Sequence, residues 1–291
     1  MIIHPQLSSL LTTGTFAQGT DGIYSAPMPS FMQDQQAERV LRERVAAQHY
    51  DNYLATIVHS HSIPVMDHEV DRFLARMPQR ALILDIGGCW GWHWRRLATT
   101  RPDVGVLIID FVRANLLHAQ RILGPLVGSQ VALMHADATA LPFPDADASS
   151  PGFDGVWTVQ VFQHIPDFAR ACREAHRVLK SGANFANYSL HTTPLNRTVY
   201  RLLRKTFHTD GMVKNVYHLT RTNDSQLRIV ADIFGGAVTD RYSECLFHPD
   251  LKLTFTGCGG SWLGQLDARL SDVPWLGRWI ARQRSFEATK M

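Results

Sequence analysis

Three carboxylates, a glycine-rich turn and three histidines in this 291-residue chain stand within, at the ends of, or after short apolar runs. Their types and positions suit the holding and conversion of a small ligand. Residues 81–91 read Ala-Leu-Ile-Leu-Asp-Ile-Gly-Gly-Cys-Trp-Gly. The run 81–86, with Asp85 inside it, predicts a buried strand. Gly87, Gly88 and Gly91 predict a tight turn that lets a ligand approach the backbone closely. A helical segment over 92–100 would then present free N–H groups at its start. Asp110 closes a second run, 104–109, and Asp137 and Ala138 follow a third, 131–134. Val159 and Gln160 end a fourth, and His164 comes shortly after. His191 and His218 lie further on. Each of these imidazoles can exchange a proton near neutral pH.

The elements that would position these groups follow from the spacing. Apolar runs that alternate with helical segments predict a parallel sheet with helices on its faces. In such sheets ligands bind beyond the carboxyl ends of the strands. Helices are expected over 112–123, over 167–179 and over 220–234. Gly182 is the expected left-handed cap of the second, and Thr220 or Thr222 the N-cap of the third. Further strands are expected at 183–190, at 237–247, parallel to the others, and at 285–289. Residues 1–30 read as an irregular segment. Residues 31–78 read as two helices, 33–55 and 65–77, that belong to no strand–helix unit and are candidates for a lid. Residues 79–291 form the core, with insertions at 191–219 and 248–283 that would build a cap after strands five and six. A short helix is expected near 198–207.

Bulk properties exclude several classes of function. The formal net charge is +3, and no basic block of the kind that marks nucleic-acid binders is present. Arg201, Arg204 and Lys205 form the densest cationic group, read as a solvated helix face. The four cysteines, Cys89, Cys172, Cys245 and Cys258, include no C-x-x-C pair. That leaves zinc and thioredoxin-like readings unsupported and fits free thiols in a reducing cytoplasm. The first residues lack the pattern of a signal peptide, and no apolar run reaches the length of a membrane span. The expected setting is cytoplasmic.

Taken together, Asp85-x-Gly87-x-x-x-Gly91, Asp110, the run His-Ala-Asp-Ala-Thr-Ala-Leu-Pro-Phe-Pro around Asp137 and the segment 153–182 resemble the class I S-adenosylmethionine-dependent methyltransferases. The likeness is to the small-molecule subgroup with ubiquinone-type and sterol-type enzymes, over residues 80–190 and more loosely 215–247. The resemblance implies a doubly wound, mostly parallel, seven-stranded Rossmann-like sheet. It also implies cofactor contacts. The turn Gly87–Gly88–Gly91 would face the methionine part, and Asp85 would help to position its amino group. Asp110 would accept from both ribose hydroxyls, as an acceptor-only carboxylate can. Phe111 would pack on the adenine, while Asp137 and the Ala138 N–H would read its edge. Val159 and Gln160 would lie beside the sulfonium, and Tyr50 would reach the cofactor from the lid. The family usually has glycine where Cys89 stands, so a reshaped methionine pocket is expected.

The chemistry implied is in-line displacement of an activated methyl group. The protein aligns the nucleophile, excludes water and, for a hydroxyl or an acidic carbon, manages a proton. The expected acceptor is small and fairly apolar, with oxygen the first target, then nitrogen or carbon. His164, His191 and His218 are the candidate bases. Tyr50, Tyr53, Phe207, Tyr217, Phe255, Trp262 and Trp275 could line an apolar acceptor cavity or simply pack the insertions together. The tryptophans of 262–279 could equally face a second subunit, which leaves a homodimer open. Asp145 and Asp147 read as a solvated turn, and no metal is expected. A non-methylating relative that binds the same cofactor, or uses it for another step such as cyclisation, is the alternative. A nicotinamide enzyme is disfavoured, because its G-x-G-x-x-G pattern would need glycine at Cys89 and Trp92.

Overall fold

The apolar run Leu82–Ile86 forms strand β3 with every residue buried, and the rest of the sheet assembles on both sides of it. The computed structural model describes residues 4–14, 16–28, 35–46, 62–147, 152–213, 217–247 and 262–291. Tyr50, Tyr53, Phe255, Cys258 and residues 248–261 of the 248–283 insertion lie outside the described residues.

In chain order, α1 (Pro5–Thr13) is followed by β1 (Ala17–Gln18), β2 (Tyr24–Ser25), α2 (35–46) and α3 (Ser62–Ala75). After β3 come α4 (Leu97–Thr100), β4 (Gly105–Asp110), α5 (Arg113–Leu123), β5 (Val131–His135) and β6 (Phe153–Val159). Helix α6 (Phe168–Val178) leads into β7 (Leu179–Leu190), α7 (Pro194–Leu202) and the hairpin β8 (Asp210–Val213) and β9 (Tyr217–Thr220). The chain continues through α8 (Asp224–Phe234), β10 (Thr239–Ser243), α9 (Trp262–Leu270), α10 (Pro274–Ile280) and β11 (Gln283–Thr289).

The main sheet runs β1-β2-β5-β4-β3-β6-β7-β11-β10. Strands β5, β4, β3, β6 and β7 are parallel. Strand β11 is antiparallel to both β7 and β10, so β10 runs parallel to the central strands, as expected. Seven strands carry the expected fold, and the short β1 and β2 extend its far edge. The order reverses between β3 and β6, and a crevice opens at the carboxyl ends there.

Each face of the sheet has its own core. One contains Leu84, Ile86, Phe185 and Phe286 with α1, α6 and α8. The other contains Ile83, Ile108, Trp157 and Tyr188 with α3 and α5.

Several expectations need correction. The segment 1–30 is not irregular throughout. His4 caps α1 through Nδ1, which accepts from the Leu7 N–H at 3.3 Å, and Leu7 and Leu11 enter the core. Arg113 then ties Asp21 to α5 at 2.5 Å. The stretch 92–100 is not one helix but a 3₁₀ turn, Trp92–Trp94, and the short α4. Helix α6 passes directly into β7, so Gly182 (φ 78) sits in the strand rather than capping the helix. The N-cap of α8 is Asn223, whose side chain accepts from the Gln226 N–H at 3.0 Å. Helix α3 is no lid. It lies on the sheet face, with Phe73 against Trp157 at 5.1 Å between ring centroids. Its fully buried Glu69 accepts from the Tyr188 hydroxyl at 2.7 Å and from Arg241 at 2.6 Å. Among the described residues no helix is long and apolar enough to cross a membrane.

Candidate active site

A cavity of about 250 Å³ opens at the strand-order switch, bounded by the ends of β3, β4, β5 and β6 and covered by α2. Of the residues expected to hold a cofactor, Gly87, Asp110, Phe111, Asp137, Ala138, Val159 and Gln160 all line it. Their common feature is position just past a strand end, where side chains leave the sheet and become available to a ligand. Asp85, Gly88 and Gly91 do not line the cavity but shape the turn behind it. Gly87 has φ 68 and its N–H bonds the Ile109 carbonyl at 2.8 Å. A Cβ there would collide with Val161, and one on Gly88 would collide with the Asp85 carboxylate. Cys89 and Gln160 take φ of 50 and 56 without being glycine. Such left-handed backbone costs about 1–3 kcal/mol and collects at functional sites.

The two central carboxylates are buried and close enough to influence each other. Asp110 accepts from the Val112 N–H at 2.8 Å, from the Cys89 N–H at 3.1 Å and from the Asn115 amide at 3.4 Å. Burial raises its pKa to about 6 against these bonds. Asp85, 1% exposed, accepts from the Trp94 indole at 2.7 Å. Burial, reinforced by the Asp110 charge, raises it to about 7. Burial likewise pushes the Cys89 thiol well above its ordinary value, so the residue that replaces the family's glycine is a neutral thiol on the cavity wall.

Asp137 is bonded at 2.9 Å by the Thr139 N–H and at 2.8 Å by the Thr139 hydroxyl. A third donor was not foreseen: Gln35 of α2 gives its amide to Asp137 Oδ1 at 2.9 Å. Gln35, Glu38 and Arg42 all line the cavity. Their spacing of three and then four residues places them on one face of a helix, and that polar stripe was readable in the sequence.

The three candidate histidines do not converge. His164 alone lines this cavity. Its Nδ1–H donates to the His218 carbonyl at 2.7 Å. Its Nε2 faces the amide nitrogen of Gln163 at 3.1 Å, and the Gln163 oxygen is committed to the Leu190 N–H at 2.8 Å. Burial, aided by the Arg42 charge, lowers the His164 pKa to about 3, so the ring is neutral at pH 7. The His218 N–H donates to Glu38 at 3.1 Å, and its ring contacts the Thr220 hydroxyl. His191 faces a different cleft, beside Tyr242 at 5.6 Å. Its pKa is lowered to about 4, chiefly by burial.

Of the aromatics expected around an acceptor, Phe207, Trp262 and Trp275 do not line this cavity. Phe207 packs on Tyr200 and under Arg221, and Trp262 and Trp275 are exposed. Asp145 pairs with Arg177 at 3.0 Å on the surface.

A family model described as a methyltransferase domain matches residues 84–187, the stretch that supplies β3 to β7 and most of the cavity wall. This match agrees with the resemblance to class I S-adenosylmethionine-dependent methyltransferases over the same stretch. The chain is 36% identical over 119 residues to the 27-O-demethylrifamycin SV methyltransferase of Amycolatopsis mediterranei, a match over 40% of this chain and 42% of that protein. It is 34% identical over 113 residues to the demethylmenaquinone methyltransferase of Thermus thermophilus, over 39% of this chain and 48% of that one. Each match therefore spans less than half of the relative's length. The fold is similar to that of a Thermotoga maritima S-adenosylmethionine-dependent methyltransferase, with a TM-score of 0.54 and 14% identity over 87% of this chain and 100% of that one. The methyltransferase partner of the Haloferax volcanii Trm112 activator gives a TM-score of 0.53 at 17% identity, over 85% of this chain and 96% of that chain.

Proposed function

We propose that the protein transfers the methyl group of S-adenosylmethionine to a small, largely apolar acceptor. The observation that carries this reading is the meeting of Asp110, Asp137 and the strained Gly87 turn on one cavity at the strand-order switch. The cofactor supplies an activated methyl group; the chain's own residues bind, orient and exclude water.

Asp110 has the geometry for a diol. It is acceptor-only when ionised, is held by two backbone N–H groups, and faces the cavity with Asn115 beside it. Asp137 is suited to an exocyclic amino group, because the Gln35 amide already occupies its Oδ1 with the same donor chemistry. Phe111 and Ala138 supply the apolar walls between them. Gly87 admits a ligand chain where a side chain would close the path. The half-buried, strained Gln160 sets the floor at the end of β6, its N–H fixed on the Tyr188 carbonyl at 2.7 Å.

We place His164 nearest the acceptor. As a neutral ring, with a conjugate acid of pKa about 3, it would orient the nucleophile through Nε2, which exchanges the Gln163 amide for the acceptor while Nδ1–H stays on the His218 carbonyl. This favours acceptor atoms that ionise by themselves, or amines that need no strong base. The test is calorimetric titration with S-adenosylmethionine and S-adenosylhomocysteine, for the native chain and for Asp110→Ala. Micromolar binding that the substitution weakens by about a hundredfold, the size of two lost charge-assisted hydrogen bonds, supports the reading. Binding left intact by the substitution, or absent from the native chain, overturns it.

A further inference from the structure

At the carboxyl end of the sheet two helices leave an apolar surface uncovered. Trp275 and Trp279, one turn apart on α10, are 72% and 59% exposed, and Leu202 and Leu203 at the end of α7 are 76% and 55% exposed. The two helices pack against each other. Arg197 of α7 and Trp275, Arg278 and Trp279 of α10 line one cleft of about 1030 Å³. Large exposed side chains that cluster on adjoining helices mark an interaction surface, unlike scattered ones.

The charge that stands out from this surface is mainly positive. Residues 191–209 and 273–284 contain no aspartate or glutamate. Arg197, Arg201, Arg204, Lys205 and Arg278 are exposed and, among the described residues, none pairs with a carboxylate. Two of the three acids of the cleft pair with an arginine. Asp224 and Asp240 hold Arg284 at 3.0 and 2.6 Å, and Asp210 accepts from the Thr220 hydroxyl at 2.6 Å.

We propose that this face docks on an anionic lipid bilayer. Indole rings settle at the headgroup level, where the ring is apolar and the N–H stays hydrated. Arginine and lysine lay their stems along apolar surface while the charged ends reach phosphate oxygens. A short helix with tryptophan and arginine, flanked by leucines and free cations, has the composition of a monotopic contact. A protein partner would need matched carboxylates and a fitted surface, whereas an anionic leaflet supplies distributed negative charge to all five cations together. The proposal is separate from methyl transfer and stands or falls without it.

The test is flotation of the full chain with vesicles of phosphatidylcholine alone, and of phosphatidylcholine with roughly a third phosphatidylglycerol, where each cation adds about fivefold to binding. Expected is partitioning onto the anionic vesicles only, weakened at high salt. Trp275→Ser with Trp279→Ser should weaken it at least tenfold, and so should Arg201→Glu with Arg204→Glu and Lys205→Glu. Unchanged affinity for S-adenosylhomocysteine, or an unchanged unfolding temperature if the native chain does not bind that ligand, shows that the variants are folded. The proposal fails if anionic vesicles bind no protein, or if the tryptophan variant floats as well as the native chain. It fails also if sedimentation without lipid shows a native dimer that the tryptophan variant splits, since the face would then belong to a second copy.

Discussion

Asp85→Asn should make the ligand-free protein more stable, and more so as the pH rises. Asp85 is buried behind the glycine turn with one hydrogen bond, from Trp94, and with the Asp110 carboxylate nearby. Its pKa rises from 3.8 to about 7, which at 1.36 kcal/mol for each factor of ten corresponds to about 4 kcal/mol. The sign follows from proton counting. Between pH 4 and 7 the folded chain keeps the Asp85 proton and the unfolded chain has lost it, so this group's contribution to stability falls as pH rises through that window. Above pH 7 the whole penalty is present. The buried histidines act in the opposite direction. His93 and His191, both lowered to about 4 chiefly by burial, favour the folded state as pH rises towards 6.5. The informative quantity is therefore the difference between variant and native chain, in which the histidines cancel. Urea unfolding at half-unit steps from pH 4 to 8 should show that difference growing by about 4 kcal/mol. A difference that stays constant across the range would refute the argument that Asp85 is ionised only at a cost.

Three other outcomes follow from the site. Gln35→Ala should tighten S-adenosylmethionine binding up to about tenfold by calorimetry, since the ligand no longer displaces a hydrogen bond to a charged group; weaker binding would mean that Gln35 helps to hold the ligand. Cys89→Gly should raise the unfolding free energy by about 1 kcal/mol, because φ 50 suits glycine, and loss of stability would show that the thiol's packing outweighs the strain. His164→Ala should lower turnover about tenfold or more with ligand affinity unchanged. The native profile should show no inflection near pH 6.5 from this ring, and a loss below threefold would remove His164 from the chemistry.

The parallel core was legible because short apolar runs alternate with helical segments, and the residues that meet on the cavity follow those runs. Gly87, Asp110, Asp137 and Gln160 are placed by those runs, while their roles towards a cofactor came only from the family resemblance. The base candidates were not separable, because His164, His191 and His218 each follow a strand or lie in a connection. Whether a histidine faces the cavity depends on which way the chain turns after the strand. For His164 that was decided by the His218 carbonyl and the Gln163 amide, neither of which a spacing reveals. Helix α1 was missed because Leu7, Leu10 and Leu11 sit among serines and threonines, and its stability comes from burying Leu7 and Leu11 rather than from propensity. The aromatics of the insertions could wall an acceptor or pack the insertions together, and an aromatic residue does not say which of two surfaces it serves. The exposure of Trp275 and Trp279 is a property of where α10 docks.

The placement of β11 between β7 and β10 has a consequence for how the chain is made. β7 and β10 leave the ribosome well before Gln283–Thr289, the strand that joins them. At about 5–20 residues per second, the interval between Leu190 and Gln283 lasts on the order of ten seconds. Throughout it the long edge of β7, with its row of unpaired N–H and carbonyl groups, waits for a partner that has not been synthesised. Unpaired edges of this kind invite association with other nascent chains. Biogenesis is therefore the period in which the protein is most vulnerable to aggregation, and chaperone dependence should concentrate on that late window rather than on the early parallel strands.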